Sequence, residues 1–445
     1  MSIVAARQRI RSYIAGWRSP GGWSLSPAAA LGLLLAGGLL LRLLIAFVLF
    51  PQAGLYNDLR FFTDWSVVLA EHGPGGFYAN VAWSDYPPGY LWVLWLFGSL
   101  GRGVALLTGG SVAGTIEYWI KLPAILADLA VAVIFYGAIR RWQGHRPALL
   151  VAGGWLFTPV SWYDSALWGQ VDVFGVLLMG LAVIWLIDRR PELASAAAVA
   201  AFLVKPQFAI VVGVVGIVLL RRHLLARRGA AGDSVIERRW PERLYAHRFE
   251  EGPLRLVLAA VAGLAVLLAG TLPFDLERFA DPALAGVPVV GDLAGLAGLI
   301  GSAAGFYNVL TANAFNPWAL VGPTPLVTSL TGDYVWTFDS LPILGVPASA
   351  WGAGLFLAVT AGVTLLLLRR DDRLAILVGI TVLAVAFFVL PTRVHERYLF
   401  GAVGLGALLL ATSIGWRIWF IAISAVGLVN MHAILTLPFR GYGTF

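Results

Sequence analysis

The chain alternates long apolar runs with short polar breaks. Runs of membrane-spanning length fall at about 28–50, 89–108, 118–139, 147–163, 169–187, 192–220, 254–273, 349–368, 374–391, 398–414 and 418–437. They are near-continuous rather than alternating, so each predicts a helix in lipid and not a barrel strand, which would alternate over about ten residues. The run 192–220 reads either as one long helix or as two short ones meeting at Lys205-Pro206. Between the first two runs lies "YNDLRFFTDWSVVLAEHGPGGFYANVAWSDYPPGY". Its apolar residues recur at Leu59, Phe62, Trp65 and Leu69, which predicts an amphipathic helix over Asp58–Glu71 on the membrane surface. "GPGG" is expected to end that helix, and "SDYPPGY" to run extended into the next.

Composition narrows the class without changing it. Of 445 residues, 59% are hydrophobic and 12% charged, with a mean hydropathy of +0.81, far from soluble domains. The prediction is an all-α polytopic membrane protein of about 11–13 transmembrane helices, multi-pass in the cell membrane. The net charge of +7 comes from arginines that flank apolar runs, as the positive-inside rule describes, so membrane lipids and no nucleic acid are the expected partners. Absence of cysteine excludes disulfides, thiolate ligands and a Cys nucleophile. The six histidines are scattered without paired spacing, so no metal site and no cofactor are expected.

The same pattern divides the chain. Residues 1–27 form a basic cytoplasmic segment ahead of a retained first helix. Residues 28–273 form an N-terminal transmembrane catalytic module with an outer loop at 51–88 and an Arg-dense cytoplasmic loop at 221–253. Residues 274–348 make a second outer loop, and 349–445 a C-terminal transmembrane module. On this parity "RRWQGHR" at Arg140 lies inside only if 89–117 makes no net crossing.

A charge at the bilayer centre costs about 2.5–3.5 kcal/mol on insertion scales, so each one inside an apolar run asks for a reason. The chain's two lysines, Lys121 and Lys205, both sit in or at the edge of such runs. Pro206 breaks the helix beside Lys205, and broken helices at membrane depth line polar cavities. A lysine there either snorkels from a helix end or serves as a point charge for a phosphate. The link "PTRVHERYLF" brings Arg393, His395 and Arg397 to one face, as a solvated cap or as guanidinium groups for an anionic headgroup. Lys121 and Asp128 share a helix face. Asp164, Gln170 and Asp172 mark a polar break between helices. Asp58 either caps its helix or serves chemistry, and capping does not account for Asp64 and Asp85 nearby. Sugar transfer from a lipid phosphate needs a carboxylate to take the acceptor's proton and cations for the departing phosphate, and this outer-face set contains both.

These residues resemble those of the GT-C superfamily of polyprenyl-phosphate-sugar-dependent glycosyltransferases, and within it the glucosyltransferases of asparagine-linked glycosylation and their bacterial relatives. The resemblance rests on "YND" (Asp58), "DYPP" (Asp85–Pro88), "ADL" (Ala127–Leu129), the break at Pro159, Asp164, Gly169, Gln170 and Asp172, "KPQ" (Lys205–Gln207), "NAFNPW" (Asn313–Trp318) and "HER" (His395–Arg397). The last departs from the family's His-Glu-Lys type, which leaves the sugar open. The resemblance implies a GT-C-like bundle, an outward-facing site, a membrane cavity for an isoprenoid, no metal, and an inverting transfer with Asp58 as base. It further implies Lys205, Arg393, His395 and Arg397 on the donor phosphate, with Asp64, Asp85, Tyr86, Asp164, Gln170, Asp172, Gln207, Asn313 and Asn316 around the substrates. The implied partners are a polyprenyl-phosphate hexose donor (glucose or mannose) and a glycan or glycolipid acceptor. Three alternatives stay open. A lipid or glycolipid transporter (flippase) shares broken helices and buried charges, though the halves show no inverted repeat. A protein-acceptor transferase and an oligosaccharide ligase share the chemistry.

Overall fold

A computed structural model describes residues 25–225, 252–322 and 336–436. Most of the N-terminal segment, the centre of the Arg-dense loop and part of the second outer loop lie outside the described residues. The chain is an all-helical polytopic membrane protein. Among the described residues, seven helices are long and apolar enough to cross a membrane, and shorter apolar ones, such as Asp172–Ile187 and Pro191–Val204, pack among them.

The first helix, α1 (Pro27–Leu44), continues through a π-helical turn to Leu49. The surface helix α2 runs over Tyr56–Asn80, longer than its apolar period predicted. "GPGG" kinks it without ending it: Gly73 takes φ 68°, a conformation open to glycine, and Pro74 restarts the helix where its missing N–H costs nothing. Phe62, Trp65 and Leu69 are buried along one face, while Arg60 and Asp64 pair on the exposed one.

Next come α3 (Pro88–Thr108), α4 (Val112–Trp119) and α5 (Leu122–Gln143). A Cβ on Gly98 of α3 would stand 2.4 Å from the Ser66 carbonyl of α2, so only glycine lets these two helices lie so close. Arg102 of α3 donates to the Ala70 carbonyl of α2 at 2.7 Å. Gly89 at the start of α3 abuts the backbone of Leu203 and Val204. The chain then returns, so that Lys121 donates to the carbonyls of Ala53 and Leu167. The segment 89–119 thus leaves and re-enters one end of the bundle.

The remaining elements follow in chain order. They are α6 (His145–Phe157), α7 (Asp172–Ile187), α8 (Pro191–Val204), α9 (Ile210–Leu220), α10 (Pro253–Thr271), α11 (Val290–Phe306), α12 (Ala348–Arg369), α13 (Arg373–Val389), α14 (Phe400–Ala407) and α15 (Ile414–Thr436). The apolar run 192–220 is therefore two helices, broken at Lys205-Pro206 by extended backbone at Lys205 and one 3-10 turn. One end of the bundle carries the pairs Arg141–Asp188, Arg222–Asp371 and Arg255–Glu192. Its arginines make it the basic end. The other end carries Asp58, Lys205 and Arg397.

Helix α11 was not expected inside the second outer loop. Its glycines dilute the apolar signal and serve packing instead: a Cβ on Gly295 would overlap the Leu276 carbonyl at 1.8 Å. A two-stranded hairpin, β1 (Pro342–Ile343) with β2 (Val346–Pro347), precedes α12.

One buried ion pair ties the first helix to the rest. Arg42 donates to Asp128 at 2.7 Å, to the Leu156 carbonyl at 2.9 Å and to Ser161 Oγ at 2.9 Å, with no solvent exposure of either charge. Ser165 also donates to Asp128. Removing one partner of such a pair strands the other, so Arg42→Met should cost about 3–5 kcal/mol. Denaturant titration of the purified protein checks this, and the double change Arg42→Met with Asp128→Leu should recover most of the loss.

Candidate active site

The break after α6 builds the site. Pro159–Trp162 form one helical turn and Tyr163–Trp168 a π-helical turn, which ends at Gly169 with φ 82°. The Asp164 carbonyl accepts from both Gly169 N and Gln170 N, at 3.0 and 2.9 Å. This closure turns the side chains of Trp168 and Gln170 toward α2. Trp168 Nε1 donates to Asp58 Oδ2 at 3.1 Å, and Gln170 Nε2 donates to the same oxygen. A Cβ at Gly169 would collide with Leu59 at 2.5 Å, so glycine is required there by space as well as by φ.

Asp58 lies in the first turn of α2, but the helix cap is Leu55 and no side chain caps it. The carboxylate is held by the π turn instead. Arg397 Nη1 stands 3.6 Å from it. The same guanidinium reaches Glu396 at 2.5 Å and Asp172 Oδ2 at 3.6 Å, and its central carbon lies 5.1 Å from the centre of the Trp168 ring. Lys205, released from helical geometry by the break, donates to Asp172 Oδ1 at 2.9 Å and Gln170 Oε1 at 3.2 Å. Its ammonium sits 5.3 Å from the Tyr86 ring. Gln207 donates to Asp172 at 3.1 Å. The structure thus gathers Asp58, Tyr86, Gln170, Asp172, Lys205, Gln207 and Arg397 into one contiguous network.

Other expected residues sit elsewhere. Arg393 pairs with Asp339 at 2.6 Å and donates to the Ala304 carbonyl, which pins the second outer loop rather than extending the cation cluster. Asp64 lies on the outer side of α2 with Arg60. Asn316 donates to the Phe388 carbonyl, and Trp318 is buried with its indole on the Leu390 carbonyl. Trp318 is therefore part of the loop's core and not a stacking surface. Asn313, at φ 73°, forms backbone bridges with His395. Asp164 is fully buried, and neither of its carboxyl oxygens has a hydrogen-bond partner among the described residues.

Burial and the local charges tune the rim. Burial pushes the Asp85 carboxyl up to about 6, helped by Asp58 and opposed by its backbone hydrogen bond, Lys205 and Arg397. Burial pushes His395 down to about 3, with Arg397 and Lys205 acting in the same sense. Burial disfavours the Arg397 charge, but Glu396, Asp58 and Asp172 outweigh it and hold the guanidinium above its usual value. Burial also raises Glu396, against the pull of Arg397. His395 is thus neutral across the working range, which leaves Lys205 and Arg397 as the cations of this network.

Trp168 and Glu396 complete the network without having been singled out as site residues. Both lie within polar breaks already noted, one residue from Gly169 and from Arg397 respectively. Arg42 was missed although it is the lone charge of the first apolar run, the same signal that marked Lys205. Among the described residues, no group of three or more His, Asp or Glu side chains is arranged to hold a metal ion.

No family model matches the chain, and no curated protein matches it. Among solved structures it is similar to the Archaeoglobus fulgidus oligosaccharyltransferase tethered to an acceptor peptide, at 11% identity and a TM-score of 0.41, over 91% of this chain and 54% of that one. The apo form of the same enzyme gives 12% and 0.40, over 91% and 55%. ArnT from Cupriavidus metallidurans in the apo state gives 16% and 0.35, over 87% and 77%. The chain spans about half the length of the oligosaccharyltransferase it matches.

Proposed function

We propose that the protein is a membrane glycosyltransferase that moves a hexose, glucose or mannose, from a polyprenyl-phosphate donor to a hydroxyl acceptor, with inversion, at the end of the bundle opposite the arginines. The observation that carries this reading is a positioned carboxylate, Asp58, set against two cations, Lys205 and Arg397, in one network. In the proposed step Asp58 accepts the acceptor's hydroxyl proton as the acceptor oxygen bonds to the anomeric carbon. The bond from that carbon to the phosphate oxygen breaks, and its electron pair stays on the phosphate. Lys205 and Arg397 stabilise the charge that develops there, where preorganised cations contribute most. The phosphate leaves as a stable anion, so no general acid is called for.

An apolar groove of about 420 Å³ between Leu43–Val48 of α1 and Tyr118, Trp119 and Leu122 supports a lipid-linked donor. It is lined beside Lys121, whose ammonium ties the π turn to the chain ahead of α2.

The test is turnover. The purified protein in nanodiscs is offered polyprenyl-phosphate glucose and polyprenyl-phosphate mannose in parallel with glycolipid acceptors, and free polyprenyl phosphate is measured. Release from one donor, dependent on acceptor, is the expected result. Movement of intact donor between leaflets without release would replace this reading with transport.

The pH–rate profile should carry an inflection near 6, where Asp85, facing Lys205 and Arg397, takes up a proton. Asp85→Asn should remove that inflection. His395→Asn should leave it in place, since His395 is already neutral. A pH–rate series on the three proteins checks both.

A further inference from the structure

The second of the chain's two lysines is absent from the network around Asp58, yet it is as deeply placed as the first. Lys121 stands at the cap of α5 and is buried, so it does not snorkel to a surface. Among the described residues it forms no ion pair. Its ammonium donates instead to two main-chain carbonyls, that of Ala53 and, at 3.0 Å, that of Leu167. Burying a cation without a carboxylate is costly, so those two bonds are what holds the charge in place.

The two carbonyls lie on the segments that meet at Asp58. Ala53 precedes Asp58 by five residues, and Leu167 directly precedes Trp168. Glycines let the segments close on each other. A Cβ at Gly54 would stand 2.7 Å from the Trp168 carbonyl, and one at Gly169 would stand 3.2 Å from Cγ of Lys121 itself. Leu59, the neighbour of Asp58, is gripped between them, 2.6 Å and 2.5 Å from those same Cβ positions. Lys121 thus fastens a contact made otherwise of glycine backbone and one leucine. The register of that contact sets where Asp58 Oδ2 stands relative to Trp168 Nε1 and Gln170 Nε2.

We propose that Lys121 is a positioning residue for Asp58: a buried strut that locks the chain ahead of α2 to the π turn, and so holds the carboxylate in its reactive place without touching substrate. The inference rests on the transferase reading and adds to it a residue that acts only through Asp58. Displacements of about 1 Å at a reacting group cost about 10²-fold in rate, so a strut at this contact is felt in turnover.

The test has two arms on the full chain in nanodiscs. In the first, hydrogen exchange read by mass spectrometry on peptides covering 50–59 and 163–170 needs no substrate. Lys121→Met keeps the apolar stem and removes the ammonium, and exchange in both peptides should speed up by about tenfold while the basic end is unchanged. In the second, turnover of the polyprenyl-phosphate donors is compared. Lys121→Met should lower kcat by about ten- to a hundredfold with donor KM within about twofold, and should lower it no further when added to Asp58→Asn. Gly54→Ala, which forces the same contact apart with Lys121 intact, should give the same split, so the proposal stays testable if one variant fails to fold. Unchanged exchange, a fall confined to KM, or an equal fall in the Asp58→Asn background would overturn the proposal and leave Lys121 a general support of the fold. No turnover of any donor by the unaltered protein would remove the transferase reading, while faster exchange in both peptides would still retain the strut.

Discussion

Asp58→Asn should lower turnover by about two to four orders of magnitude while leaving folding and donor binding in place. Asparagine keeps the side chain's size. Its amide oxygen can still accept from Trp168 Nε1 or Gln170 Nε2, the two donors that hold Asp58 Oδ2. What is lost is a carboxylate able to take a proton. Since α2 is capped at Leu55 without a side chain, the substitution removes no cap. A steady-state comparison of turnover, with donor affinity measured separately, distinguishes the cases. A purely structural carboxylate would show near-normal turnover.

Arg397 carries the second large effect. Its guanidinium is shared among Glu396, Asp58 and Asp172, while Lys205 is engaged by Asp172. In the resting site both cations are thus already matched by carboxylates, and an arriving phosphate competes for them. Arg397→Lys keeps the charge but loses the planar fork that bridges several oxygens. Turnover should fall by about 10²–10³, the usual loss for one donor aimed at developing charge, with a smaller change in donor affinity. The split between kcat and KM is the readout. A fall confined to KM would mean that Arg397 binds the ground state alone.

The hydrophobic pattern made most of the transmembrane helices legible because each buries its backbone hydrogen bonds within its own apolar run. It also located the break at Lys205-Pro206, since a charge and a helix breaker coincide there. It misjudged α2 at Gly73, where the left-handed glycine kinks the helix and Pro74 restarts it, two residues whose combined effect is a bend and not an end. Helix α11 was hidden by glycines that exist for close approach to Leu276 and Phe279. Within the site, charges inside apolar runs pointed to Lys205, Asp172 and Gln170, all of which meet in space. The same signal gave no means to separate Arg397 from Arg393, four residues apart. Only the fold shows that Asp339, from the distant outer loop, neutralises Arg393. Trp168 was illegible as a site residue because its role follows from the π turn, which no periodicity announces.

The most direct measurement is the anomeric configuration of the transferred sugar. With purified protein in nanodiscs, a donor of defined anomeric configuration and a glycan acceptor, the linkage formed is read by NMR. A single displacement with Asp58 as base predicts a product of inverted configuration, formed by the unaltered protein and absent with Asp58→Asn. A product of retained configuration would contradict the account, because it would require two displacements and a nucleophile where Asp58 is assigned the role of base.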